Sequence, residues 1–315
     1  MSELSASFTI HHLDGYFERI ELPARFRREQ NPKLDRGLLA TIQAYHVSHI
    51  PYDNTALHYS PTPSISLHIH DIFHKLVTRK RGGYCMENNI LLYHVLRQLG
   101  FDVYLTGARL FRDANNPKPG WSGWEHAVNI VTLADNSNYM LDVGYGGDGP
   151  TTPLPLVHTP IPIHNIGTQE ICLQKNGESS GDRSHSANDP STNAWTYQFR
   201  NGSEQAWRVG YAFHELEFFP RDFEVMNFYT SQNPTSFLTQ RLLVIRFLQR
   251  ADGEVYGKVI LDQDKLKENR GGKNELVKVC NTESERVDVL RDVFGVDLTE
   301  EERRGVCGRV SALPV

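Results

Sequence analysis

Cysteine is scarce in this chain. Only four occur in 315 residues, at positions 85, 172, 280 and 307, and no two stand in CxxC spacing, which argues against a zinc site or a disulfide-stapled fold. In a reducing compartment isolated thiols serve as small buried hydrophobes unless their surroundings make them reactive. Excess charge is lacking too. A net charge of -5 offers no basic field for phosphates, so nucleic acid is not an expected partner and a small substrate is. No run of about 18 apolar residues is present to span a bilayer. The opening MSELSASFTIHHLDGYF has no basic flank followed by an apolar stretch, so it does not read as a secretion signal. A cytoplasmic protein with no membrane partner is expected.

The remaining composition, 39% hydrophobic and 23% charged, suits a folded chain with room for more than one buried core. Up to about residue 100 the pattern is helical. Asp35 is a plausible cap for a helix with Leu38, Leu39, Ile42 and Tyr45 on one face. Ile69, Ile72, Phe73, Leu76 and Val77 form a second stripe, and Leu92, Val95, Leu96 and Leu99 a third that stops at Gly100. The character then changes. FDVYLTGARLF, HAVNIVTL, NYMLDVGYG and WTYQFR are short, β-branched and aromatic, and bounded by turn formers. LTQRLLVIRFL and EVYGKVIL read as later strands, followed by a charged helix near 282–304. The polar stretch 174–193 reads as an exposed loop between strands. The expected class is α+β in three parts: a helical domain over 1–100, a β-domain over 101–220 and a third domain over 221–315.

Cys85 stands in RKRGGYCMENN, just behind two glycines and at the start of the third helix. Paired glycines admit unusual backbone conformations and close approach of other groups. A helix N-terminus favours negative charge, and a thiolate is a strong nucleophile. Arg79, Lys80 and Arg81 either add positive potential or are simply solvated. Glu87, Asn88 and Asn89 either occupy a solvated or capping first turn, or Glu87 pairs with a neighbouring Arg. A nucleophilic cysteine needs a base, and the base needs an acceptor on its other nitrogen. His126 opens HAVNIVTL, and Asp142 lies between Leu141 and Val143, where an unpaired carboxylate would be costly. A simple hairpin turning near Asn136 would set Asp142 opposite residue 130, leaving His126 about 13 Å away. A twist, a bulge or another strand order is therefore required.

With these residues the chain resembles the arylamine N-acetyltransferases: RGGYC at 81–85, HAVNIV at 126–131 and DVGYG at 142–146 occur in the family's order, and YFERIEL, IPYDNTAL and MNFYTSQNPTSFLT are similar to further family segments. The resemblance implies a helical bundle, a β-barrel and an α/β lid, with papain- or transglutaminase-like cysteine-triad architecture. It implies catalytic roles for Cys85, His126 and Asp142 as nucleophile, base and orienter. It also implies contacts to coenzyme A from Trp121, Ser122, Gly123 and Trp124 in a loop before the histidine, and from Thr230, Ser231 and Ser236. The implied reaction is double-displacement transfer of an acetyl, propionyl or malonyl group from acyl-CoA, as co-substrate, to an arylamine, arylhydroxylamine or hydrazine. The implied oligomeric state is a monomer or weak dimer, with no metal and no bound cofactor. A cysteine-dependent acyl hydrolase or transglutaminase-like enzyme would use the same triad.

Two other patterns carry less. GYGGDG at 144–149 satisfies G-x-G-x-x-G, but prolines rather than a helix follow it, so it is not a phosphate loop. His68, His70 and His74 lie close in sequence, yet their face is away from the buried stripe and a zinc site is not expected.

Overall fold

The computed structural model describes residues 8–113, 119–176 and 193–314. The chain begins with α1 (Ile10–Arg19) and α2 (Arg36–His49), the latter capped as expected by Asp35, whose Oδ1 accepts the Leu38 N–H at 3.1 Å. A two-residue strand β1 (Tyr52–Asp53) follows, then α3 (Ile69–Phe73), which runs on as a wider turn over His74–Thr78, and α4 (Cys85–Leu99). Cys85 to Leu92 are all buried. That stretch of α4 has no solvated face, so its sequence shows the helical stripe only from Leu92 onward.

The first sheet contains β2 (Asp102–Arg112), β3 (Gly120–Thr132), β4 (Asn138–Leu141), β5 (Leu154–Pro155), β6 (Ile163–His164), β7 (Glu170–Lys175), β8 (Trp195–Arg200) and β9 (Arg208–Phe213). Their spatial order is β5-β4-β3-β2-β9-β8-β7-β6. Edge strands β5 and β6 are not paired to each other among the described residues. The expected barrel is thus an open sheet, curled enough that β5 touches β7. The central strand β3 is covered on both sides. Ala127 and Val131 join the helices' apolar cluster, while Val128 and Ile130 face Trp195, Tyr197 and Tyr211, as period-two alternation requires. Most of the polar stretch 174–193 lies outside the described residues.

After α5 (Pro220–Gln232) and α6 (Phe237–Gln240), a second antiparallel sheet forms from β10 (Leu243–Gln249), β11 (Val255–Asp262), β12 (Lys265–Asn269) and β13 (Asn274–Val279). Its order is β1-β10-β11-β12-β13, so the helical part of the chain contributes its edge strand. The expected helix near 282–304 is two, α7 (Glu283–Phe294) and α8 (Glu300–Arg304), because Gly295 takes φ +69° and ends the first. Arg286 is fully buried. It bonds Tyr59, Glu283 and the Ser311 carbonyl, holding the C-terminal segment against this sheet.

Candidate active site

The turn before Cys85 is fixed by close packing rather than by unusual dihedrals. A Cβ on Gly82 would lie 2.6 Å from Asp53 Cβ, and one on Gly83 2.8 Å from Glu87 Cβ. Positive φ falls instead on Lys80, at 54°. Gly83 is also stitched to β1 and to the residue before it. Its N–H donates to the Pro51 carbonyl at 3.2 Å, and its carbonyl accepts from the Asp53 N–H at 2.9 Å. Glu87 closes the first turn of α4 by accepting the Tyr84 N–H at 3.2 Å, and its charge is met by Lys75 at 2.8 Å rather than by an arginine.

Arg81 is buried and Arg79 half-buried, and neither is simply solvated. Both bond Glu302 of α8, at 2.8 and 2.6 Å, and Arg81 also reaches Thr55 Oγ1 at 2.6 Å. Burial pushes the Glu302 carboxyl up, but its bonds from Arg79 and the Thr299 N–H and the charges of both arginines outweigh this and hold it at about 2. A carboxylate depressed in the folded state contributes stability above its ordinary value of 4.5, lost as pH falls toward about 2. The stability gap between wild type and Glu302→Gln is expected to be full at pH 6 and to narrow steadily below about pH 4.5, measured by urea unfolding. A gap independent of pH would refute the assignment.

Cys85, the first residue of α4, is buried, with Sγ 3.5 Å from the Glu125 carbonyl. His126, on β3, donates from Nε2 to Asp142 Oδ2 at 2.7 Å and interacts through its side chain with Cys85. The expected conflict of register is resolved by the turn. Thr132 pairs with Asn138 and Asn129 with Leu141, so the loop is centred one residue earlier than Asn136 and the whole pairing moves by two. Strand β4 also ends at Leu141, so Asp142 lies where the chain leaves the sheet. Gly144 lets that departing segment touch the helix start, since a Cβ there would lie 2.6 Å from Cys85 Cα.

Asp142 collects three donors. Besides His126, Asn89 Nδ2 reaches Oδ1 at 3.0 Å and the Gly144 N–H reaches it at 2.8 Å. Burial pushes the carboxyl up, but the His126 charge and these bonds bring it below its ordinary value. Burial likewise pulls His126 down, and the Asp142 charge and hydrogen bond together with Cys85 more than offset this, raising it to about 10. The imidazole is therefore biased toward its protonated form, flanked by the Asp142 carboxylate on one side and the Cys85 sulfur on the other.

Asn89 is the residue that sequence reasoning missed. Fully buried, it bonds the Cys85 carbonyl at 3.2 Å, the Ala127 carbonyl at 2.8 Å and Asp142, and its Oδ1 accepts the Val143 N–H at 3.2 Å. It ties helix, β3 and the Asp142 turn together. The available signal was its position four residues after Cys85, hence on the same helix face.

Cys85 and His126 open into a cavity of about 260 Å³, with Tyr52, Phe111, Arg112, Glu125, Tyr145, Thr230, Ser236 and Phe237 also in its walls. Of the residues implicated in coenzyme A contact, Thr230 and Ser236 line this space. Trp121, Ser122, Gly123 and Trp124 do not line it, and they lie within β3 rather than in a loop. Trp121 packs on Phe111. Ser122 Oγ accepts the Leu110 N–H at 2.9 Å, and Trp124 stacks edge-on against Phe218 beneath Arg109. Ser231 faces a larger cavity of about 820 Å³ across α5, which does not reach Cys85.

The N-acetyltransferase family model matches residues 37–303. The N-malonyltransferase of Gibberella moniliformis is 37% identical over 324 residues, spanning 95% of this chain and 92% of that relative. The arylamine N-acetyltransferase of Mycolicibacterium smegmatis is 28% identical over 304 residues, 95% of this chain and 97% of that one. The structure of Mycobacterium marinum arylamine N-acetyltransferase in complex with CoA is similar at a TM-score of 0.76 and 25% identity, covering 96% of this chain and 100% of that one.

Proposed function

From the premise that the chain belongs to the arylamine N-acetyltransferase family, acyltransferases with acyl-CoA as co-substrate, we propose that it carries an acyl group on Cys85 as a thioester and delivers it to an aromatic amine. The observation that carries the reading is His126, hydrogen-bonded to the buried Asp142, opening together with Cys85 into one cavity. The division of labour is that of papain- and transglutaminase-like enzymes, a helix-start cysteine facing a sheet-borne imidazole.

Cys85 Sγ attacks the thioester carbonyl of acyl-CoA. A C–S bond to Sγ forms, the bond to the coenzyme sulfur breaks, and the departing thiolate takes the proton from His126. Because one thioester replaces another, the exchange is nearly even and stores the acyl group. The Cys85 N–H at the helix start is a donor for the transient oxyanion. An arylamine then attacks, His126 removes its proton, and the N-acyl product leaves Cys85 free. Asp142 keeps the imidazole oriented throughout. The aromatic walls Tyr52, Phe111, Tyr145 and Phe237 suit a flat acceptor.

Malonyl-CoA is the proposed donor, supported by the stronger similarity to N-malonyltransferases than to the Mycolicibacterium arylamine N-acetyltransferase. All four cysteines are free, which suits the proposed cytoplasmic location. Intact-protein mass after brief exposure to malonyl-CoA or acetyl-CoA tests the reading. One acyl group mapping to Cys85, removed by an arylamine as N-acyl product, is expected. Release as free acid alone would make the protein a hydrolase.

A further inference from the structure

We propose that Arg112 reads the free carboxylate of a malonyl donor and so decides which acyl group is loaded onto Cys85. This rests on the thioester reading above and adds the residue that sets donor class.

Arg112 is the last residue of β2, and it is the one Arg or Lys among the described residues lining the cavity that holds Cys85 and His126. Its Nη2 bonds Glu125 Oε2 at 2.5 Å, with the two side chains 25% and 9% exposed. The guanidinium carries five N–H donors in a planar fork matched to carboxylates, so a pair through Nη2 does not exhaust it. The neighbouring wall is apolar: Leu110, Phe111, Phe237, Leu238 and Leu243.

A carboxylate brought into such a space is unfavourable unless a cation meets it. Glu125 by itself would repel one. Malonyl and propionyl groups have the same three-carbon length and differ only in carrying a carboxylate or a methyl at the far end, so Arg112 and Glu125 act on that end in opposite senses. The Arg112–Glu125 pair keeps both charges matched before a donor arrives, and an incoming malonyl group then shares the fork. The coenzyme A portion is common to both donors, so the malonyl-to-propionyl ratio isolates the acyl end.

The experiment is the rate of Cys85 acylation by malonyl-CoA and by propionyl-CoA, followed by intact mass on the full chain as wild type, Arg112→Met and Glu125→Gln. Wild type is expected to favour malonyl. Arg112→Met should lower the malonyl-to-propionyl ratio of kcat/KM by about ten- to a hundredfold, the scale of a charged hydrogen bond. Glu125→Gln should raise it by removing the competing carboxylate. The assignment is overturned if both rates fall in parallel in Arg112→Met, if Glu125→Gln lowers the ratio, or if wild type shows no malonyl preference. Wild type that is acylated by propionyl-CoA or acetyl-CoA while refusing malonyl-CoA sinks the Arg112 role and leaves the thioester reading standing. Failure of every donor to label Cys85 sinks both.

Discussion

Replacing Cys85 with alanine is expected to lower acyl transfer by about a millionfold, the loss seen when an acyl-transfer triad is deprived of its nucleophile. Neither the tyrosines of the cavity nor the other cysteines can take over. Burial pushes the Tyr52 and Tyr145 phenols well up, so neither offers a phenolate. Burial likewise raises the Cys172 thiol to about 11 and the Cys280 thiol above its ordinary value, and Cys307 is exposed far along the chain in α8's wake. Only Cys85 faces an imidazolium. Single-turnover acylation by malonyl-CoA, read as adduct mass, measures the loss. Residual labelling above a thousandth of the wild-type rate would mean that a residue other than Cys85 accepts the acyl group.

Asp142→Asn is expected to reduce transfer by about four orders of magnitude, as when the orienting carboxylate of a triad becomes an amide. The reason lies in the count of donors. Nε2 of His126, Nδ2 of Asn89 and the Gly144 N–H all point at the carboxylate. An amide oxygen in place of Oδ1 can keep Asn89 and Gly144 only if its NH₂ faces His126 Nε2, which forces the imidazole into the tautomer that accepts there. Removing the negative partner from a buried pair is also destabilising, by about 3–5 kcal/mol.

The pH profile separates the two losses. His126 is raised from 6.5 to about 10, so the pair's contribution to stability is full below about 6.5 and disappears as pH rises through about 10. The depressed carboxyl of Asp142 works at the other end, contributing above its ordinary value of 3.8 and lost as pH falls below it. In Asp142→Asn the alkaline loss should move toward neutrality, because burial then acts on His126 without the opposing charge. Melting temperature from pH 5 to 10.5 checks this. An unmoved alkaline limb would show that Asp142 does not govern His126.

The proposed nucleophile stood out because several local features coincided at Cys85: glycines that permit close approach, a helix start, and few other thiols to confuse it. His126 and Asp142 were legible as types, a base and a carboxylate that cannot stay unpaired in an apolar run. Their meeting was not. It depends on a loop centred one residue from the obvious Asn136, and strand pairing moves two residues for each residue of loop shift. Asn89 was hidden for a different reason. Polar residues in a first turn usually face water, and here the whole turn is enclosed by β3 and the Asp142 segment. The lending of β1 to the C-terminal sheet rests on pairings between residues nearly two hundred apart, and the order of the open sheet on the β2–β9 pairing between residues about a hundred apart; on both, local pattern is silent. The strand placement of Trp121–Trp124 shows a similar limit, since a Trp/Gly/Ser segment reads equally as loop or edge.

The stitching of Gly83 to β1, and of β1 to β10, bears on how the protein is made. The turn that presents Cys85 leans on Pro51 and Asp53. Those residues adjoin a strand completed only by Ile245 and Val244, and Arg81 waits for Glu302, 221 positions later. A ribosome-bound chain that has emerged only through the first sheet therefore holds the cysteine without its finished socket. Contacts of such long sequence separation form late. The turn around Cys85 is in this way completed only with the last part of the chain to be made.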